Sequence, residues 1–330
     1  STQGVSSAAS DVYKRQVLQY IVEKVTEAYM NTKHKTSIGG QALIEGVMMR
    51  GPKTTAMAVR NPEGELVIEK WPTGGQNKPA LLKTPFIRGI FMMADNLRFG
   101  YKCLMRSAEI AGLEEDDKES GGFLSSALMV LSVVLALILS VGLFVWLPAR
   151  LYEWTGLAAY NSRILRSTFE GVLKIIIFVA YLLCTLLMKD IRRTFMYHGA
   201  EHKTIFCYEE GLPLTVENVR KMRRFHPRCG TSFMILVLIV SIFVSMFIPA
   251  SVPAALRSVL KILLIPIIVG IGYELIKLAG RTDNLFTRII SAPGMWLQHI
   301  TTKEPDDSMI EAAIAAMENV ITGNKEDDKW

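Results

Sequence analysis

The chain has 330 residues, half of them hydrophobic, and carries a formal net charge of +6. Its apolar residues are clumped into long runs, which excludes an ordinary soluble domain as the whole of the protein. The basic residues border those runs and are not interleaved with aromatic residues. This pattern indicates that they contact anionic lipid headgroups, and nucleic acid is not an expected partner. Four cysteines without any Cys-x-x-Cys pair favour reduced thiols over a disulfide framework.

The first 29 residues are expected to be a non-native or disordered leader. Residues 7–16, SAASDVYKRQ, look like translated sequencing-adapter sequence, and Met30 offers a plausible native start. The native fold is therefore expected to begin at about residue 30.

Residues 30–122 predict a small cytoplasmic α+β module. Two β-prone segments, Thr54–Arg60 and Glu65–Trp71, flank the turn-forming tetrad Asn-Pro-Glu-Gly and predict a β-hairpin. The preceding GGQALIEGVMMRGP, residues 39–52, suits a short buried strand. Residues 85–111 then have the apolar spacing of an amphipathic helix, and the acidic stretch 114–119 is a solvated linker.

The rest of the chain predicts a mainly α-helical integral membrane protein. An apolar run without charge over about 20 residues is long enough to cross a bilayer core of about 30 Å. Four such spans are expected, two within residues 123–188 and two within 231–280: Phe123–Leu147, Phe169–Met188, Phe233–Ile248 and Ser258–Ala279.

The distribution of positive charge predicts the orientation, because cytoplasmic loops retain Lys and Arg. Residues 189–230 contain nine Lys and Arg residues, whereas the connection between the first two spans contains three. We therefore expect a multi-pass protein of the bacterial plasma membrane with both termini and residues 189–230 in the cytoplasm. The tail, residues 281–330, is expected to hold a helix near 308–321 and a frayed end after Thr322.

Three of the five histidines lie in the segment 189–230, and this clustering is the main indication of function. In YHGAEHK, His198 and His202 are one helical turn apart and can share a metal ion, while Glu201 can act as a base toward water. The pattern is His-x-x-Glu-His, found in one class of zinc peptidases. The alternative is that the histidines bond to backbone at a membrane-proximal bend.

A zinc site needs a third protein ligand, and the sequence offers three candidates. His226 and Cys229, in FHPRCG, have ligand chemistry, although Pro227 and Gly230 would also suit a plain turn. Glu274, near one end of the fourth span, is costly in lipid unless it binds something, and a salt bridge with Lys277 or Arg281 is its alternative. Five arginines are candidates for an anion clamp or for simple headgroup contacts: Arg192, Arg193, Arg223, Arg224 and Arg228.

Five separated blocks of sequence together resemble the YqhQ-like family of bacterial membrane proteins of unknown function. They are GGQALIEGVMMRGP, YHGAEHKTIFCYEEG, LTVENVRKMRRFHPRCGTSF, YELIKLAGR and LQHITTKEPDDSMIEAAIAAM, between Ser37 and Met317. Members are often labelled predicted metal-dependent enzymes. The resemblance implies a site made of His198, Glu201, His202, His226 and Cys229, with Glu274 as a further candidate.

The favoured hypothesis is a metal-dependent enzyme with a divalent metal, most simply zinc, that works as a hydrolase at the cytoplasmic membrane surface. The competing hypothesis is a non-catalytic scaffold that docks a membrane-protein partner or forms a homo-oligomer. Transport is the weakest hypothesis, because the charged residues of the spans all lie near span ends and leave no polar path at the midplane.

Overall fold

A computed structural model describes residues 34–73, 84–113, 123–249, 251–282, 284–324 and 326–330. The expected leader and the acidic linker lie outside these residues. Within them the protein is mostly helical, with one small sheet.

The sheet is an antiparallel meander in the order β1-β2-β3-β4. Its strands are β1 Gly39–Leu43, β2 Gly46–Arg50, β3 Thr54–Arg60 and β4 Leu66–Pro72. The predicted hairpin is confirmed as β3 and β4, with Arg60 opposite Leu66. The predicted single strand in residues 39–52 is instead a second hairpin, β1 and β2.

The turn between β1 and β2 is stabilised by tertiary contacts that cannot be predicted from the local sequence. Glu45 adopts a positive φ of 49°, which is uncommon for a residue with a Cβ. Its carboxylate accepts two hydrogen bonds of 2.6 Å from Arg193 and one of 3.2 Å from the Tyr197 hydroxyl. These contacts stabilise a turn that contains neither Asn nor Pro.

The remaining elements are helices. In chain order they are α1 Ile87–Ile110, α2 Phe123–Val141, α3 Leu147–Trp154, α4 Arg163–Thr185, α5 Lys189–Glu209, α6 Val216–Lys221, α7 Gly230–Ser245, α8 Ala254–Leu263, α9 Ile265–Arg281, α10 Leu285–Thr301 and α11 Asp307–Glu318. A π-helical turn, Gly142–Trp146, joins α2 to α3. The amphipathic helix predicted for residues 85–111 is confirmed as α1.

The sheet is covered on both faces, because consecutive side chains of β2 and β3 point to opposite faces and are buried on both. Val47 and Met49 of β2 belong to a core that includes residues of α5 and α11, whereas Met48 packs on the opposite side with Cys103 of α1. The sheet is thus the middle layer between α1 and the pair α5 and α11.

Membrane-type helices are fewer than predicted. Among the described residues, Val130–Trp154 and Arg163–Thr185 are long and apolar enough to cross a bilayer. A third span exists if Ala255–Leu263 and Ile265–Arg281, which bend by 44° at their junction, count as one. The predicted third span is α7, whose 16 residues reach only about 24 Å at about 1.5 Å per residue. The count is therefore two or three by length and composition, not four.

The tail holds more structure than the sequence predicts. The helix predicted near 308–321 is confirmed as α11, and Asp306 caps it by accepting a 3.0 Å bond from the Met309 amide. Helix α10 is not among the predicted elements, because Pro293 in its interior suggests a break. The end is not frayed, since Asp328 is fully buried.

Helix α7 is the centre of the helical bundle, with α4, α9 and α10 packed around it. Ile235 of α7 packs with Phe178 of α4 and Leu297 of α10, while Leu236 packs with Ile268 of α9. The packing with α10 is close, because a Cβ on Gly294 would lie 2.4 Å from the Ser232 Cβ. This contact brings the C-terminal half of α10 to the beginning of α7.

Candidate metal centre

His198, Glu201 and His202 lie on a regular helix within residues 189–230, the segment expected to connect two membrane spans on the cytoplasmic side. They belong to α5, which is buried along most of its second half. The helical spacing puts the two imidazoles on one face, with ring centroids 4.4 Å apart. The side-by-side arrangement expected from the His-x-x-Glu-His pattern is therefore present.

Cys229 completes a group of three donors. It is the residue before α7, and its Sγ accepts a hydrogen bond of 3.4 Å from the Thr231 amide. Its Sγ also lies 3.2 Å from Nε2 of His198. The donor atoms of His198, His202 and Cys229 all lie within 4.8 Å of one another.

This donor set fits zinc. Bonds of about 2.0 to 2.3 Å in a tetrahedral arrangement place neighbouring ligand atoms about 3.3 to 3.8 Å apart, so the widest of the observed separations, at most 4.8 Å, would shorten by up to about 1 Å on binding. Two imidazoles and one thiolate are also the ligand types that zinc selects.

The imidazoles are oriented as ligands are. Nδ1 of His198 lies 2.8 Å from the Thr301 carbonyl oxygen, and Nδ1 of His202 lies 2.5 Å from that of Arg224. Because a carbonyl only accepts, each Nδ1 must carry the proton, which leaves Nε2 with its lone pair in the neutral ring. Metal-binding histidines are typically held by such a bond from the second nitrogen.

The Cys229 thiol and the His198 imidazole each favour the charged form of the other. Burial opposes protonation of His198, but the negative charge of Cys229 and its hydrogen bond raise the pKa of His198 to about 9. Burial likewise opposes ionisation of Cys229, yet the two neighbouring histidines hold the pKa of its thiol well below the usual range. The position before a helix N-terminus also favours a thiolate.

Glu201 lies beside this group, and its buried carboxylate Oε2 is 3.8 Å from Nε2 of His198. Burial raises the pKa of Glu201 above its ordinary value, against the effects of the two histidines and of a hydrogen bond from the Gly40 amide. A Cβ on Gly40 would lie 2.7 Å from the Glu201 Cγ. Strand β1 can therefore cover Glu201 this closely only because residue 40 is a glycine.

His226 does not join the three donors. The Arg228 amide donates to its Nδ1 at 3.4 Å, and its Nε2 faces the Glu209 carboxylate at 3.8 Å. Burial lowers the pKa of His226 to about 4. Its backbone is clamped by Gln298, whose amide group both accepts from and donates to His226 at 2.7 Å. His226 therefore helps position the turn that carries Cys229.

Glu274 lies on α9 and points to α1, away from the three donors. Its carboxylate accepts a 2.8 Å bond from Nε of Arg88 and a second, very short one from the same guanidinium. The carboxylate is thus engaged by a distant residue that no sequence pattern pairs with it, and not by Lys277 or Arg281. The salt bridge expected as the alternative exists, with a different partner.

Most of the arginines considered as an anion clamp have protein partners. Arg193 binds Glu45, Arg224 lies 3.0 Å from Glu304, and Arg228 pairs with Glu209. Arg223 lies over the Phe206 ring at 4.2 Å. Each of these four arginines therefore has a partner within the protein, and an anionic ligand is not needed to account for its position.

Comparison with known proteins places the chain in a family. A family model described as a protein of unknown function, DUF1385, matches residues 84–323. The uncharacterized protein YqhQ of Bacillus subtilis (strain 168) is 34% identical over 302 residues, which cover 88% of this chain and 94% of that protein. No solved structure matches. The chain belongs to the DUF1385 family of proteins of unknown function, in agreement with the resemblance noted from its sequence blocks.

Proposed function

We propose that this protein is a membrane-integral, metal-dependent enzyme, a zinc hydrolase whose site lies at the cytoplasmic membrane surface. The observation that carries the proposal is the convergence of His198, His202 and Cys229, with both imidazoles oriented by carbonyls behind them. Three protein ligands are typical of catalytic zinc, which keeps one further position open, whereas structural zinc usually has four.

Each residue has a role in this proposal. His198, His202 and Cys229 hold the ion, and a bound zinc supplies Lewis acidity toward a carbonyl or phosphoryl oxygen. Glu201 holds or accepts a proton beside them, and a carboxylate whose pKa is raised by burial is suited to that exchange near neutral pH. The carbonyls of Thr301 and Arg224 keep the imidazoles in the required tautomer.

The test begins with metal content. Full-length protein purified in detergent is expected to contain about one equivalent of zinc, by analogy with three-ligand sites. His198→Ala combined with His202→Ala should abolish that zinc, whereas His299→Ala, an exposed histidine on α10, should leave it unchanged. Zinc that persists in the double variant would refute the metal site.

The enzymatic part needs a separate measurement. The bound zinc is replaced by cobalt(II), and azide is then added as a probe of an open coordination position on the cobalt. A change in the visible spectrum supports a catalytic centre. Glu201→Gln should keep the metal and the azide response, because Glu201 is placed beside the donors and not among them.

A structural metal centre is the second candidate, and one observation favours it. The donors are nearly enclosed, with only 12% of the His198 side chain exposed. They also join α5 to the start of α7, as expected of a site that braces a scaffold for a partner protein. A cobalt spectrum that azide leaves unchanged would favour this candidate over the hydrolase.

A further inference from the structure

A second cluster of buried charges lies at the other end of the bundle. Helix α7 begins at the metal centre and runs away from it, and the cluster is formed near its far end by α4 and α8. Four charged residues there are at most 8% exposed: Arg166, Glu170, Arg257 and Lys261. Buried charge is costly unless it is paired, so each partner has to be identified.

The carboxylate of Glu170 serves two of the three cations. It accepts a 2.9 Å bond from Nε of Arg166 and a shorter contact from Lys261. The next carboxylate, Glu153, lies 3.6 Å from Nη2 of Arg166 and is also bonded to Arg150 at 2.9 Å. The buried group therefore has three positive charges and one negative charge, with a shared carboxylate at its edge.

Arg257 has no carboxylate partner in the part of the chain that the structure describes. Its Nη2 donates to the backbone oxygens of Ile248 at 3.1 Å and Pro249 at 2.7 Å, just beyond the end of α7. Its Nε and Nη1, and Nη2 of Arg166, are buried without any hydrogen-bond acceptor among the described residues. Electrostatic repulsion acts between the two guanidinium groups.

The contact with the backbone that follows α7 explains only one of the Arg257 nitrogens. A residue needed solely for that contact would not require two more donors buried without acceptors, since each such donor loses its hydrogen bonds to water without replacement. An anion that accepts from Arg257 and Arg166 together would satisfy these donors and balance the charge. Of the charged residues that contact Arg166, Glu153 is the most exposed, with 30% of its side chain accessible, and it has Arg150 as another partner.

Phosphate is the chemistry that this arrangement fits. Paired guanidinium groups present several N–H donors in fixed planes, which match the oxygens of a phosphate. Helices α4 and α8 both begin at this end, and the positive ends of their dipoles favour an anion there. We propose that Arg166 and Arg257 bind the phosphate group of a phospholipid headgroup or of a free phosphate at this end of the bundle.

The experiment uses full-length protein, delipidated in a non-ionic detergent and titrated calorimetrically. The probes are inorganic phosphate and dihexanoyl phosphatidic acid, which carries the same group on a short lipid. Saturable binding of at least one probe is expected. Binding of the lipid probe about tenfold tighter, equivalent to about 1.4 kcal/mol, assigns the site to a headgroup, whereas comparable affinities assign it to free phosphate.

The variants locate the site. Arg257→Gln and Arg166→Gln should each weaken binding by about tenfold or more, because each removes a charge-assisted hydrogen bond. Glu153→Gln should tighten it, since the competing carboxylate is removed. Arg163→Gln is the matched control, an exposed arginine at the same end of α4, and should bind as the unaltered protein does.

Folding is controlled with a conservative variant. Arg257→Lys keeps a donor for the Ile248 and Pro249 carbonyls but lacks the two donors without acceptors, so the protein should fold and bind phosphate weakly. If position 257 tolerates no change, Arg166→Lys decides in the same way. The proposal is overturned if neither probe binds, or if the folded variants at positions 166 and 257 bind as well as Arg163→Gln.

Discussion

Gly199 lies at a close backbone contact beside the candidate metal centre. It lies between His198 and Ala200 on α5, where a Cβ would come within 2.0 Å of the Lys303 carbonyl oxygen. The segment it touches follows Thr301, whose carbonyl orients His198. The close approach of these two backbones therefore sets where the first histidine points.

Gly199→Ala is expected to destabilise the protein and to weaken zinc binding. The added methyl group pushes against backbone, and overpacking of this kind costs about 1 to 3 kcal/mol, more than the helix propensity gained by alanine. Thermal unfolding in detergent and chelator competition for zinc measure the two effects. Gly39→Ala, at a position with nothing within 4 Å of the added Cβ, should change neither, and equal behaviour of the two variants would contradict the argument.

The burial of His226 makes the free energy of unfolding depend on pH. Its folded-state pKa of about 4 lies below the ordinary value of 6.5, because burial disfavours the charged ring. Between these values the unfolded chain binds a proton that the folded protein does not, so stability falls as the pH drops through 6.5. At pH 5 the loss from this one group amounts to about 2 kcal/mol.

His226→Gln should remove this contribution. The slope of unfolding free energy against pH, measured between pH 4.5 and 7 by denaturant titration, should become flatter than in the unaltered protein. His299→Gln changes an exposed histidine and should keep the original slope. A His226→Gln variant with the full slope would show that another group causes the acid sensitivity.

At the scale of elements, the contact between α1 and α9 explains what Glu274 does. The Glu274 carboxylate on α9 bonds to Arg88 on α1. The same two helices approach so closely that a Cβ on Gly89 would lie 2.6 Å from the Tyr273 Cβ. The glutamate thus attaches the amphipathic helix of the module to the last membrane-type helix.

Glu274→Gln should loosen α1 and leave the metal centre intact. The amide keeps a weaker hydrogen bond but loses the charge that pairs with Arg88. Hydrogen–deuterium exchange of residues 87–110 is expected to become faster, with zinc content unchanged. Glu217→Gln, which disturbs only an exposed pair with Lys221 within α6, is the control. Loss of zinc in the Glu274 variant would make this residue a candidate ligand again.

Elements with a local pattern are predictable from the sequence, and elements fixed by distant contacts are not. The β3–β4 hairpin, α1 and α11 have a turn tetrad, helical apolar spacing or a capping aspartate. Helix α5 lies in a segment that the sequence identifies only as cytoplasmic, from its positive charge, and the burial of most of its second half against β1, β2 and α11 depends on distant contacts.

The site is predictable in the same uneven way. The spacing of His198 and His202 and the chemistry of Cys229 identify three donors that the structure brings together. Nothing local shows that Arg88 reaches Glu274, since the two residues are 186 positions apart in the chain. The contact of Gly40 with Glu201 is also distant in sequence, but it has a local signal, because paired glycines before a β-prone segment can indicate a close approach of the backbone to another group.

At the scale of the whole molecule, the two ends of the described chain are joined through one carboxylate. Asp328 accepts from Thr36 and from the Tyr208 hydroxyl at 2.8 Å, and lies 2.9 Å from Nε2 of His34. Beside it, Trp330 packs on Gly280 at the end of α9. The last residues therefore connect the segment before β1 to both α5 and the bundle.

Asp328→Asn is expected to lower the thermal unfolding midpoint. One carboxylate oxygen becomes an N–H₂ group, so at least one of the three buried or half-buried donors loses its acceptor at a cost of about 1 to 3 kcal/mol. Asp327→Asn is a control one residue away, because Asp327 forms surface contacts, a pair with Lys53 and a 3.3 Å hydrogen bond from Asn324, and exposed pairs contribute about 0 to 1 kcal/mol. Equal midpoints for the two variants would show that the joined ends do not stabilise the fold.

The contact between Glu170 and Lys261 predicts which two connections of the bundle face the same side of a membrane. It brings α8 to the end of the bundle where α4 begins, so the turn at Ser251 and the connection at Tyr160 should face the same side. Positive charge is concentrated at the other end, which predicts that this side is outside. In a Cys184→Ser background, which removes the exposed native thiol, Tyr160→Cys and Ser251→Cys should react with an impermeant maleimide on intact cells. Glu217→Cys should react only after permeabilisation, and a protected Ser251→Cys would mean that α7 enters the membrane without crossing it.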